Sequence, residues 1–168
     1  AALELGTAYR YLTTEQIAVF ETADFAALGT AQLRSFETAD IAALTTVQLS
    51  ALSTVSLTAL TTLQIKALET ADIVALSTAQ VAALSTAQVS VFETADVAAL
   101  RTSQIAALET ADVAVLTTAQ VQALTTGQIK GLTSDQINYM ATDDMRALTS
   151  AQLQAITTDV LNALSSTN

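Results

Sequence analysis

The sequence predicts an all-α fold: a superhelical α-solenoid of very short helices, one in each eight-residue repeat. Three observations lead there, namely an unbroken octad period, capping residues at a fixed phase of each octad, and a phase error that forbids longer helices. Divided after Leu12, the 168-residue chain falls into nineteen octads from Thr13 to Leu164, without insertion or deletion. The fifth position is apolar throughout, from Ile17 and Phe25 to Leu153 and Leu161, and so is the eighth, from Phe20 to Leu164. The second is Thr in seventeen octads, with Ser134 and Ser150 as the exceptions. A repeat this regular outranks length as a guide to architecture.

The period itself removes the competing folds. At about 100° per residue, eight residues overshoot two helical turns by about 80°, so the apolar stripe of a continuous helix would wind right round its axis. A coiled coil needs apolar spacings near 3.5, whereas here spacings of three and five alternate. Both spacings are odd, so a β-strand would send successive large residues to opposite faces. Ala and Gln are also poor strand formers, and the Gly and Asn of tight β corners are missing.

A helix broken and restarted in every octad satisfies the residues. In the segment from Leu116 to Leu124, Thr117 is placed as N-cap and Gln120, three residues on, closes a capping box. Leu116 and Val121 stand where a hydrophobic staple forms. Each cap contributes about 1 kcal/mol, which matters for helices too short to be stable alone. The fifth and eighth positions share one face. The third and seventh, usually Ala (Ala79 and Ala83, for example), form a second stripe of small residues, so that each helix can pack on neighbours before and after it. Helices of five to seven residues are expected, none running through two octads. Leu84, a closing residue mid-chain, is expected to be buried.

Five octads open with Glu (Glu21, Glu37, Glu69, Glu93 and Glu109) and carry Asp three residues later (Asp24, Asp40, Asp72, Asp96 and Asp112). Glu is a poor N-cap, so the following Thr (Thr22, Thr38, Thr70, Thr94 and Thr110) is expected to take over capping, with both acids at the positive end of the helix dipole. Gaps between these octads of 16, 24 and 32 residues define no fixed number of octads per turn. The near-constant Thr reads as backbone capping and packing at each restart. The domain plan is an N-terminal cap over residues 1–12, one solenoid over 13–164 and a tail over 165–168. Off-pattern Tyr9, Arg10 and Tyr11, and the drift beyond Thr125 (Gly127, Gly131, Tyr139, Met140), suit terminal repeats that meet water. With so many small residues the superhelix should be slender and closely wound, with Leu, Ile, Val and Phe along its axis.

Composition narrows function. The chain holds 34 Ala and 28 Thr but no Cys, His, Trp or Pro, and its net charge is −10. Disulfides, thiolate or imidazole metal sites and His-assisted nucleophiles are thereby excluded. The acidic balance opposes nucleic acid as a partner, and no apolar run approaches the ~20 residues of a membrane span. The six bases, Arg10, Arg34, Lys66, Arg101, Lys130 and Arg146, are spread singly and read as solvated surface residues. Acid pairs such as Glu21 and Asp24 invite calcium, with Asp143 and Asp144 the best placed, but no calcium loop is present to supply six to eight oxygens. An evenly repeated helical surface offers no cleft for paired-carboxylate catalysis. The expectation is therefore no catalytic, cofactor-binding or metal-ligating residue, and no cofactor.

The unit L-[ST]-T-x-Q-[IVL]-x-A-L, repeated from Thr13 to Leu164, resembles the tandem octapeptide arrays of very large secreted or surface-attached bacterial proteins, including RTX-type adhesins. That resemblance implies a non-enzymatic spacer or stalk, extracellular or on the bacterial surface, whose partners are neighbouring repeats or domains of a longer chain. It carries over no functional residues. The alternative is a solenoid binding module, with a protein partner or, on the strength of the regular Thr spacing, an ice-facing Thr array.

Overall fold

A computed structural model of the chain describes residues 13–158 and 160–161. Every regular element among them is a short helix, and no strand is present among the described residues. The chain divides between Leu84 and Ser85 into two compact units. The first contains α1 (Thr14–Ala18), α2 (Thr22–Ala26), α3 (Thr30–Ser35), α4 (Thr38–Ala42), α5 (Thr46–Ser50), α6 (Thr54–Thr58), α7 (Thr62–Lys66), α8 (Thr70–Ala75) and α9 (Thr78–Ala83). The second contains α10 (Thr86–Val89), α11 (Thr94–Ala99), α12 (Thr102–Ala107), α13 (Thr110–Ala114), α14 (Thr118–Ala123), α15 (Thr126–Gly131), α16 (Ser134–Asn138), α17 (Thr142–Ala147) and α18 (Ser150–Ala155). Each helix occupies one octad at one phase. Their lengths are four to six residues rather than five to seven, α10 being the shortest. The expected cap over residues 1–12 and tail over 165–168 lie outside the described residues.

The restart follows from hydrogen bonding. Thr117 is extended at φ −76°, ψ 156°; its hydroxyl accepts the Gln120 N–H, and Gln120 Oε1 accepts the Thr117 N–H at 2.6 Å. This is the predicted capping box, repeated at Thr45, Thr61, Ser77, Ser85, Thr125, Thr133 and Thr149. The preceding helix ends for the same reason. The closing residue gives its N–H three residues back, as Leu124 does to the Val121 carbonyl at 3.2 Å. The next N–H, that of Thr125, is taken by Gln128 Oε1 and so is lost to the helix before it. Two extended residues, such as Leu124 (φ −59°, ψ 131°) and Thr125 (φ −70°, ψ 159°), make each corner. No residue with positive φ occurs among the described residues, which is why corners need neither Gly nor Asn.

In the Glu-opened octads the expected transfer of capping to Thr does not occur. Glu37 itself is the extended N-cap and Thr38 the first helical residue. The Glu side chain makes no cap bond, but Asp40 Oδ2 accepts the Glu37 N–H at 3.0 Å. The same half-box forms at Glu69, Glu93 and Glu109. The cap hydroxyl is dispensable because the third helical residue still captures the N–H that ends the preceding helix.

Each helix packs three octads away. In the first unit the stacked columns are α1, α4 and α7; α2, α5 and α8; and α3, α6 and α9. In the second they are α10, α13 and α16; α11, α14 and α17; and α12, α15 and α18. Three octads, or 24 residues, thus make one turn of the solenoid within each unit. The core consists of the fifth and eighth positions, as expected: Leu49 and Leu52, Ile65 and Leu68, Val121 and Leu124 are all buried, and so is Leu84. The third position corrects the predicted small-residue stripe, because it lies in solvent, where Val47, Val55 and Leu63 are all more than 60% exposed. The seventh packs in most octads, half-buried at Ala83 and Ala123 and buried at Ala59 and Ala155, but Val19 and Tyr139 are exposed. A Cβ on Gly131, for example, would press on the methyl of Thr102 in the turn before.

Candidate functional surface: a buried polar spine

The fourth octad position, polar in sequence, is buried in every octad from Asp40 to Gln152. Burying so many amides and carboxyls is unfavourable unless each is hydrogen-bonded, and among the described residues no buried side-chain nitrogen or oxygen lacks a partner. Gln64 shows the pattern. Its Oε1 accepts the Thr61 N–H at 2.9 Å, while its Nε2 donates to the carbonyls of Leu33 at 2.8 Å and Phe36 at 2.9 Å. Those acceptors lie at the end of α3, where the Leu33 carbonyl also takes the Phe36 N–H at 3.4 Å and a helix so short leaves its last carbonyls short of donors. Gln48, Gln80, Gln120, Gln128, Gln136 and Gln152 reach back 28 residues in the same way, and Gln48, Gln80, Gln128, Gln136 and Gln152 also reach back 31. The single Ser at this position, Ser56, donates to the Leu28 carbonyl at 3.4 Å, also 28 residues back.

Asp has no N–H to give and uses the turn below differently. Asp144 Oδ1 accepts the Thr118 hydroxyl at 2.7 Å, and Asp112 accepts that of Thr86; both threonines hold the second position three octads earlier. Thr86 and Thr118 therefore serve the following turn rather than their own caps. Burial pushes the Asp112 carboxyl above its usual range, against the lowering effect of the Glu109 N–H and the Thr86 hydroxyl, and the neighbouring Glu109 charge adds to the rise. Asp72 is raised too, by burial first and by Glu69 in addition, against the Glu69 N–H.

The acids considered for calcium are not brought together. Asp144 is turned to Thr118, while Asp143 is exposed beside Arg146 at 3.5 Å. No group of three or more carboxylates that could hold a metal ion occurs among the described residues. The bases among the described residues, Arg34, Lys66, Arg101, Lys130 and Arg146, are all exposed, as expected. Exposed Arg34 also donates its Nε–H to the Ala59 carbonyl at 2.9 Å, 25 residues ahead. Gln122, at the same sixth position, reaches the Ala147 carbonyl at 3.2 Å. Arg10 lies outside the described residues. No helix among the described residues is long and apolar enough to cross a membrane.

Stacked single-octad helices, joined by a polar spine and showing the same surface every eight residues, define a repeat protein of the α-solenoid class. Its recurring run is legible at Leu116–Gln120, LTTAQ. The family model described as the ALTTAQ repeat matches residues 17–54, 35–68, 65–102, 89–126, 105–142 and 137–168. The chain belongs to the ALTTAQ repeat family. A search of the curated proteins gave no match.

Proposed function

We propose that this chain is a non-enzymatic structural stretch, a spacer or stalk within a large extracellular protein of a bacterial surface. The observation that carries the reading is the use made of its polar side chains. Polar residues of the fourth position, buried from Asp40 to Gln152, join one turn to the next, the glutamines through backbone carbonyls and Asp112 and Asp144 through Thr86 and Thr118. What remains on the surface recurs with the octad and singles out no place for a substrate. The resemblance to octapeptide arrays of secreted bacterial proteins supports the extracellular setting and a role among neighbouring domains of a longer chain.

Single-molecule stretching tests the spacer role. A stalk whose turns are joined by separate polar rungs should extend at low force, through many small reversible steps, and recover its length on release. One abrupt, all-or-none rupture at high force, as of a single globule, would contradict it. The second reading, a binding module, draws support from exposed Val47, Val55 and Leu63, which interrupt a third position otherwise filled mainly by Ala. Replacing all three with Ala leaves a spacer unchanged and removes the binding of a protein partner.

A further inference from the structure

We propose that Asp72 is a proton-operated rung of the polar spine, which closes on the Leu44 carbonyl when its carboxyl takes a proton and stands open when it is charged. In the first unit the carbonyls of Phe20, Leu28, Phe36 and Leu52 accept from Gln48, Ser56, Gln64 and Gln80, each 28 residues further on. Leu44 holds the same place 28 residues before Asp72, and among the described residues no donor reaches its carbonyl. The second unit repeats the exception. Phe92, Leu100, Leu108 and Leu124 accept from Gln120, Gln128, Gln136 and Gln152, whereas the Leu116 carbonyl, 28 residues before Asp144, is given no donor among the described residues. The gap follows the residue type, because a carboxylate accepts and has no hydrogen to give.

A protonated carboxyl carries what a carboxamide carries, an oxygen that accepts and a group that donates. Asp72 Oδ2 already accepts the Glu69 N–H at 3.2 Å, as Gln Oε1 does at other rungs, so the proton belongs on Oδ1. Ser56 demonstrates the reach, since its hydroxyl, on a side chain one atom shorter, donates to the Leu28 carbonyl. The corners at Leu28 and Leu44 also share one backbone: Ala27 lies at φ −86°, ψ −7° and Ala43 at φ −86°, ψ −5°. At Asp144 the Oδ1 is already taken, by the Thr118 hydroxyl at 2.7 Å; among the described residues no hydroxyl is hydrogen-bonded to Asp72. Within its unit α8 packs on α5, and residues 45–52 carry no titratable side chain to hold the charge. Burial raises the Asp72 carboxyl above its ordinary range, against the Glu69 N–H, and the like charge of Glu69 adds to the rise. The folded carboxyl therefore binds its proton more tightly than the unfolded one. The stability that the rung adds is fully present below the ordinary value near 3.8 and is lost as pH rises through the raised folded value. Acid adds a tie between the start of α8 and the corner before α5, and loss of the proton removes it.

Carbon NMR of the labelled 168-residue chain reads both ends of the rung. On acidification the Asp72 carboxyl carbon should titrate above the ordinary value near 3.8. The Leu44 carbonyl carbon should move downfield with the same midpoint, as a carbonyl does when it gains a donor. The carbonyl carbons of Phe36 and Leu52, served by amides throughout, should stay in place. Asp72→Asn has the size of the protonated carboxyl and a donor that no pH removes. It should hold the Leu44 carbon at its acid position even at neutral pH, whereas Asp72→Ala, with no donor, should leave it at the neutral wild-type position. A Leu44 carbon that stays still while Asp72 takes its proton would overturn the proposal. So would an Asn variant whose Leu44 signal at neutral pH equals that of wild type, a comparison that needs no acid-resistant fold.

Discussion

Gln64 belongs at once to the helix it starts and to the helix it closes a turn below, and the two roles can be separated by one atom. Gln64→Glu keeps the oxygen that accepts the Thr61 N–H and loses the nitrogen that donates to Leu33 and Phe36. Urea denaturation should show a loss of about 2 to 3 kcal/mol, because buried carbonyls lose their donor and a carboxylate is set against them. Protonation supplies a hydroxyl donor again, so part of that loss should be regained as pH falls. Asp112 makes the complementary case. Its carboxyl binds its proton more tightly folded than unfolded, so between its ordinary value near 3.8 and its raised folded value stability falls as pH rises. Asp112→Asn keeps an acceptor for the Glu109 N–H and can face the Thr86 hydroxyl with its amide. Thermal melts across acidic pH should show the variant less dependent on pH than wild type and at least as stable at neutral pH. Thr86→Ala removes a hydroxyl from this buried carboxylate and should cost about 1 kcal/mol or more, through the next turn and not through a cap.

Single helices of four to six residues have almost no stability of their own, so substitutions act through the column in which a helix stacks. Leu124→Ala should cost about 2 to 5 kcal/mol by opening a cavity in the core, whereas Lys66→Ala, at an exposed sixth position, should stay within about 0.5 kcal/mol. Gly131 tests the seventh position. Gly to Ala in a helix is ordinarily stabilising by up to about 1 kcal/mol. Here the new methyl meets Thr102 in the turn below, and crowding should reverse the sign, with a net loss of about 1 kcal/mol or more. Adding Thr102→Ser removes the offending methyl and should recover most of the loss, a coupling that a double-mutant cycle measures. Most of this was legible in the sequence: the octad, the capping box at Thr117 and Gln120, and the core at the fifth and eighth positions. The burial of the fourth position was not, because the capping box and the helix dipole already accounted for Gln and Asp there. Variation between octads carried the signal. The third position ranges over Glu, Ala, Val, Leu, Ser, Gly and Asp, and the sixth varies as widely, but the fourth is confined to Gln, Asp and Ser until Val160. The small third-position residues suggested packing only because small size suits a crowded contact and an exposed surface equally well.

The number of octads per turn is set by the two extended residues at each corner, and nothing in a perfectly repeated octad encodes it. The unequal gaps between Glu-opened octads left it open for the same reason. Once the turn is three octads, damage should travel by 24 residues within a unit rather than to the adjacent octad alone. Hydrogen exchange on Leu124→Ala should show protection falling in α14 and in its column neighbours α11 and α17, with a smaller fall in α13. The 24-residue turn can be measured directly, since the chain has no native cysteine to interfere with labelling. Spin labels at exposed third positions, on Cys replacing Val47 and Ala71, sit in stacked helices α5 and α8, whose axes should be about 10 Å apart. Labels at positions 47 and 63 are closer in sequence but lie in separate columns, α5 and α7. Strong dipolar broadening for the 47–71 pair and weak broadening for the 47–63 pair is the predicted result. The reverse order would mean a two-octad turn and would contradict the stacking on which the polar spine depends.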